Sequence, residues 1–402
     1  MPCLSRREKV RSFVRYRRHP ALVVWWEGAQ PVLHNYVRKK TLRPEPEAVE
    51  FVSFFHEWRT LEETVERFPA WPKAVLRGAV ARLHTTGVLL AENDPTGPED
   101  AIEDWEWSLP VRFAHMAVRN LDYVGANSPE QAQLYLERMQ LPQPPLFKRY
   151  PDCPRVRLPN VLEPCNVSLD TALLRRATCR DWKREPISLG ALARLLYLSW
   201  GVTGCHIDAF TGPLPHKTSP SGGSRHPTEV YPVVLNVDGL EPGIYHYASA
   251  EHELELLRRG QFGALISWIA AEQTWLGDAA VICVMTSAVR RNQWKYPTDR
   301  AYRVITLDLA HLSQTFYLVA TALGLGAFTT AAFRDRDLER ELGVDSAWEP
   351  AMSLCAAGAP DERAVSSLRM SCTQAEDGSI HIQDPPWQPS PWPSDGKGGQ
   401  IE

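Results

Sequence analysis

No two of the eight cysteines (Cys3, Cys153, Cys165, Cys179, Cys205, Cys283, Cys355, Cys372) stand at C-x-x-C spacing. No His/Cys/carboxylate cluster has ligand spacing either, so no metal centre is expected. Charge of one sign is missing too. Lys and Arg number 44 against 48 Asp and Glu, a net charge of −4, and nothing global argues for a nucleic-acid partner. No uncharged apolar run reaches membrane length. The longest apolar stretch, residues 304–325, contains Asp308, His311 and Gln314 and reads as a buried helix. The first 18 residues are basic without the apolar centre of a signal peptide. Unpaired cysteines and no export signal give a cytoplasmic expectation.

What the chain does have is 33 prolines, gathered in connecting segments, and 14 tryptophans. At 402 residues two domains are expected. The basic run Arg6, Arg7, Lys9, Arg11, Arg15, Arg17 and Arg18 reads as a solvated face, or as an anchor for an acidic peptide or phosphates. Residues 21–26 read as a strand. Helices are predicted at 47–58, at 60–68 behind a Thr60–Glu63 capping box, and at 72–86, followed by a strand at 87–90. Three helices and a strand make residues 1–95 winged-helix-like, for a peptide or partner protein; Arg77 and Arg82 are too sparse for a major-groove reader. Residues 96–165 read as an acidic, Pro-rich linker carrying one helix at 128–139. Residues 366–402 read as an extended Pro/Trp tail.

The second domain, 166–365, mixes a helix at 188–198, a strand at 230–237, a hairpin at 243–257, a helix at 262–272, a strand at 279–286, a long helix ending at Gly324, a short helix at 338–342 and a last strand at 352–357. That order favours α+β. Pro232 pushes the strand at 230–237 toward a sheet edge or a bulge. Before it, Ser219 to Ser224 (SPSGGS) is a turn-forming run whose glycines allow close approach of backbone to a flat polar ligand, with an ordinary loop as the plain alternative. In Arg176-Ala177-Thr178-Cys179-Arg180, two guanidinium groups flank a hydroxyl, a suitable phosphate grip.

Together these stretches resemble the nitroreductase-like FMN enzymes, and more narrowly their SagB/McbC-type branch, the dehydrogenases of thiazole and oxazole peptide maturation. RATCRDW resembles the RxSxRxF opening of the superfamily. PISL with LLYLSWGVTG, SPSGGSRHPTEVY, GLEPGIYHY, WKYPTDRAYR and GLGAFTTAAF follow the branch in order, over about residues 166–360. The resemblance implies a mainly antiparallel sheet flanked by helices, a homodimer with two FMN sites at its interface, and no membrane. Arg176, Thr178 and Arg180 would hold the phosphate and ribityl chain. Ser221, Gly222, Ser224 and His226 would line the flavin from the other subunit, and Thr330 and Ala331 would set backbone N–H groups near its N5 edge. Ser224 and His226 stand where general nitroreductases carry Asn and Gln, and Ala331–Ala332 where glycines are usual.

Lys295–Tyr296 matches the branch's catalytic pair. A phenol titrates near ~10, and an adjacent ammonium is expected to favour the phenolate, making Tyr296 a base with Lys295 as its tuner. Solvated Lys295 and packed Tyr296 are the alternative. His226 could serve as base or as a core histidine. The implied function is oxidation of azoline to azole in a ribosomally made precursor peptide, alongside other peptide-modifying enzymes. The alternatives are an NAD(P)H-dependent nitroreductase or quinone reductase, and a non-catalytic peptide-binding scaffold.

Overall fold

The computed structural model describes residues 14–95, 105–121, 124–125, 128–160, 165–209, 211–361, 372–374 and 380–382. The expected basic positions up to Arg11, residues 96–104 of the acidic stretch and the tail from 384 onward lie outside the described residues. The chain divides into two units, Met1–Tyr123 and Val124–Glu402.

In the first unit β1 (Tyr16–Arg18) precedes a three-stranded meander, β2 (Leu22–Glu27), β3 (Gln30–Asn35) and β4 (Lys40–Leu42). Helices α1 (Glu47–Phe54), α2 (Leu61–Arg67) and α3 (Lys73–Thr85) follow, then β5 (Leu89–Ala91), which pairs antiparallel with β1. The capping box forms: Glu63 N–H reaches the Thr60 hydroxyl, and the Glu63 carboxylate accepts from Thr60 N–H. Apolar faces of the helices and strands close over Leu33, Val52, Phe55, Val80, Leu83 and Leu89. Helix α4 (Leu109–Ala117) adds Met116 and Phe113 against Tyr36.

The second unit opens with α5 (Pro129–Met139) and β6 (Arg155–Arg157), then α6 (Leu169–Arg175), α7 (Leu189–Trp200) and a separate hairpin, β7 (Gly204–Asp208) with β8 (Gly212–His216). There follow β9 (Thr228–Val234), β10 (Gly243–Ala248), β11 (Glu253–Arg259), α8 (Gly263–Ile269), β12 (Val281–Ser287), α9 (Val289–Lys295), α10 (Arg300–Ala322), β13 (Gly326–Thr330), α11 (Asp335–Leu342) and β14 (Ala351–Gly358). One seven-stranded antiparallel sheet runs β13-β14-β12-β9-β10-β11-β6. Its central strands β9 and β12 are buried along their whole length because both faces are covered. In β12, Val281, Cys283 and Met285 pack toward α7 and α10, whereas Ile282 and Val284 pack toward α8 and α11. Two short strands, Cys372–Gln374 and Ile380–Ile382, pair with each other.

Three expectations are corrected. Strand β9 lies in the middle of the sheet, not at an edge. Pro232 is tolerated because the β10 ladder stops at Val233, leaving β12 as its partner. Residues 155–157, expected within a connector, are the sheet's edge strand, paired to β11. The helix expected over 262–272 stops at Ile269, because Ala271 and Glu272 take left-handed backbone (φ 55° and 63°).

Candidate functional site

Helix α10 organises the site. Its inward stripe, Ala301, Ile305, Leu309, Leu312, Phe316 and Ala320, has helical spacing and packs on the sheet. Asp308 interrupts that stripe and is buried. A buried carboxylate needs partners, and the loop between β8 and β9 supplies them. Ser221 Oγ donates to Asp308 at 2.5 Å, and Gly222 N–H donates to it at 3.0 Å. Ser221 Oγ in turn accepts from His226 N–H at 2.9 Å. Asp308 therefore clamps the start of a turn whose end is tied back by Ser221, and in which Gly223, Ser224 and His226 have left-handed backbone (φ 64°, 57° and 42°). Non-glycine residues in that region persist only where their surroundings hold them.

The turn needs its glycines. A Cβ on Gly222 would lie 2.2 Å from Val304 Cγ1, and one on Gly223 would lie 2.6 Å from both Lys295 Cδ and Tyr296 Oη. The same contacts bring the expected Lys295–Tyr296 pair against the expected flavin-lining loop. The serine hydroxyls, however, face inward: Ser221 is used by Asp308, and Ser224 Oγ donates to Pro215 O at 2.8 Å. What this turn offers a ligand is backbone.

His226 is buried, with Nε2 3.1 Å from Pro215 O. Burial and the nearby Lys217 cation push it down to about 3, so it is neutral at ordinary pH and a poor base. The expected phenolate at Tyr296 is also corrected. Burial, then Tyr135, raise the Tyr296 phenol, with Arg225 opposing. Burial and Arg225 lower Lys295. Both groups are thus driven toward their neutral forms, because desolvation outweighs the attraction between neighbours.

Arg176, Thr178 and Arg180 gather at another stretch of α10. Cys179 N–H donates to Ala327 O at 2.7 Å and draws this segment onto β13. Thr178 Oγ1 lies 3.2 Å from Tyr317 Oη, which also accepts from Thr329 N–H at 3.1 Å. Arg176 stands over the Tyr317 ring, and Arg180 over Phe328 and Trp275. Among the described residues neither guanidinium makes a hydrogen bond or ion pair. Two uncommitted guanidinium groups beside a hydroxyl fit a phosphate. Thr330 ends β13; its hydroxyl accepts from Ala332 N–H at 3.0 Å, and Ala331 is exposed. Asp308 and Tyr317 are nine residues apart on one helix, about 13 Å along its axis. One chain therefore brings its site residues together as two clusters, not one.

Sequence reasoning missed several polar residues. Asp308, which in the sequence argues against a membrane span, anchors the loop. Glu229 on β9 binds Arg291 and His246, and His246 also contacts Glu255, all buried. Burial would raise Glu229, but Arg291 and His246 outweigh it and hold it at about 2. Lys217 joins Trp200, Thr228 and Asp308 in walling a cavity of about 10 Å³. Only the helical spacing around Asp308 offered a clue, since it set a carboxylate on an apolar face.

A seven-stranded antiparallel sheet between helices, with a clamped glycine turn on one long helix, has a nitroreductase-like fold. The profile of the Nitroreductase family matches residues 173–358, so this segment is a nitroreductase-family domain. A Methanocaldococcus jannaschii protein named as a nitroreductase is 28% identical over 193 residues, 48% of this chain and 91% of that protein. The trifolitoxin-processing protein TfxB of Rhizobium leguminosarum bv. trifolii is 31% identical over 147 residues, 36% of this chain and 39% of its own length. A crystal structure from Anabaena variabilis, also named as a nitroreductase, is similar at a TM-score of 0.49 and 22% identity, over 67% of this chain and 49% of that one. Among the described residues no side-chain group could hold a metal ion, and no helix is long and apolar enough to cross a membrane.

Proposed function

We propose that this chain is an FMN-dependent dehydrogenase that oxidises a residue within a ribosomally made precursor peptide, with azoline to azole as the reaction. The observation that carries the reading is the joint presence of the uncommitted Arg176–Thr178–Arg180 grip and the Gly222–Gly223 turn against Lys295–Tyr296. Similarity to a trifolitoxin-processing protein supports a peptide substrate. In this reading Arg176, Thr178 and Arg180 bind the phosphate, and the backbone of Gly222, with Ser221, Ser224 and His226 behind it, supports the ring. Thr330 and Ala331 border the ring's reactive edge. FMN, when bound, supplies a hydride acceptor. Lys295 and Tyr296 manage the substrate proton. Burial lowers the proton affinity of Lys295 and raises that of the Tyr296 phenol, so the two side chains hold the substrate proton as a pair. The first unit would bind the peptide or a partner modifying enzyme, with no nucleic acid involved, in the cytoplasm.

The test is FMN uptake by quenching of flavin fluorescence, followed by flavin bleaching with a cyclised peptide or with NADPH alone. Parent protein and Tyr296→Phe should both take up FMN. Only the parent should be bleached by peptide, with the variant slowed at least about a hundredfold, the usual weight of a positioned proton-transfer group. No FMN uptake overturns the reading in favour of a scaffold, and bleaching by NADPH alone overturns it in favour of a nitroreductase.

A further inference from the structure

Arg225 is 2% exposed, yet among the described residues it makes no ion pair, and its Nη2 has no hydrogen-bond partner. Its Nε donates to the carbonyl of Gly223 at 3.4 Å, and its guanidinium stands 5.1 Å over the Trp294 ring. Lys295 Nζ donates to that same carbonyl, also at 3.4 Å. Two cationic nitrogens are therefore within twice that distance of each other, sharing one neutral oxygen. Asn292, one turn before Lys295 on α9, is fully buried with neither side-chain atom paired, and its Nδ2 lies 3.9 Å from where a Gly222 Cβ would stand. The Asp208 carboxylate acts electrostatically on both cations. Tyr135 and Asp308 face Tyr296. A buried cation without a counter-ion is costly, and unpaired buried donors gathered at one turn call for a reason.

We infer that Arg225 and Lys295, converging on the Gly223 carbonyl with Asn292 behind them, form a receiving site for a carboxylate oxygen of the peptide substrate. The inference rests on the dehydrogenase reading and adds to it a recognised group. Lys295 and Tyr296 are half-buried and form the side from which a ligand arrives; Lys295 makes the direct contact. Arg225 is a positioning residue: its fixed charge, unable to reach solvent, keeps the field at Lys295 positive. An arriving anion relieves the repulsion between the two cations, so it is held more firmly than one lysine would hold it.

The test is a ligand-detected NMR titration with N-acetylglycine, ionic strength fixed with chloride. N-acetylglycinamide serves as the neutral control, and inorganic phosphate as the competing source of an anionic oxygen. The parent should bind the carboxylate in the millimolar range and the amide not at all. Lys295→Met and Arg225→Gln should each weaken binding about tenfold, and Arg225→Lys should restore it. If Arg225→Gln fails to fold, Arg225→Lys and Lys295→Met decide the matter. Unchanged affinity in Lys295→Met, or phosphate binding more tightly than N-acetylglycine, overturns the inference. FMN uptake is measured alongside. FMN bound without carboxylate sinks this inference alone, whereas carboxylate bound without FMN sinks the dehydrogenase reading instead.

Discussion

Lys217 shows how much burial changes a single side chain. It sits beneath the loop with its Nζ donating, among the described residues, only to Ser249 Oγ, at 3.3 Å, and burial lowers it to about 8, with Glu229 opposing and Arg291 assisting. The unfolded chain holds that proton up to about 10.5, the native chain only to about 8. Between those values the unfolded state binds more protons, so stability rises with pH; below about 8 the penalty is fully present. Lys217→Met should therefore be more stable than the parent at pH 7, by on the order of 2–3 kcal/mol. The gap should close as pH rises toward 10.5, read by urea denaturation at each pH. A gap independent of pH would remove the lysine's charge as its cause. Little of this was legible beforehand. The glycines of the turn were readable because few residue types tolerate close backbone approach. Lys217, Arg225 and Asp308 were not, because a charged residue in a sequence is presumed solvated until its neighbours are known.

At the level of elements, regular periodicity carried the reading and tertiary pairing limited it. The β10–β11 hairpin, α7 and α10 fall where alternation and the 3.6-residue period predict. Strand β6 has three residues, too short to leave a pattern, and Pro232 pointed to an edge because which ladder ends beside it depends on β10, not on β9 itself. The buried stripe of α10 gives a direct measure of what joins helix and sheet. Phe316 is fully buried, its ring 5.5 Å from that of Trp200. Phe316→Ala should lower unfolding free energy by about 3–5 kcal/mol. Leu307→Ala, on the same helix at 53% exposure, should change it by less than about 0.5 kcal/mol. Equal effects from the two would mean that α10 is not docked through this face.

At the level of the whole molecule, the two clusters stand apart along α10, and a site shared by two copies is one way to join them. A grip for phosphate and a turn for a flat ring, about 13 Å apart on one helix, can meet across two copies if α10 lies near the seam. The outer face of that helix and the α6 beside it expose Leu307 at 53%, Leu169 at 64%, Leu173 at 47% and Leu174 at 49%, apolar surface of the kind that marks an interface. In the homodimer we propose, this surface is the contact. The parent should then sediment at about twice the 45.4 kDa chain mass. Leu173→Glu combined with Leu307→Glu should sediment as one chain with unchanged circular dichroism, since both positions are exposed. Its FMN affinity should fall at least about tenfold, because each site loses the turn contributed by the other copy. A double variant that stays dimeric places the seam elsewhere. A monomer that binds FMN as the parent does would show that one chain closes the site alone.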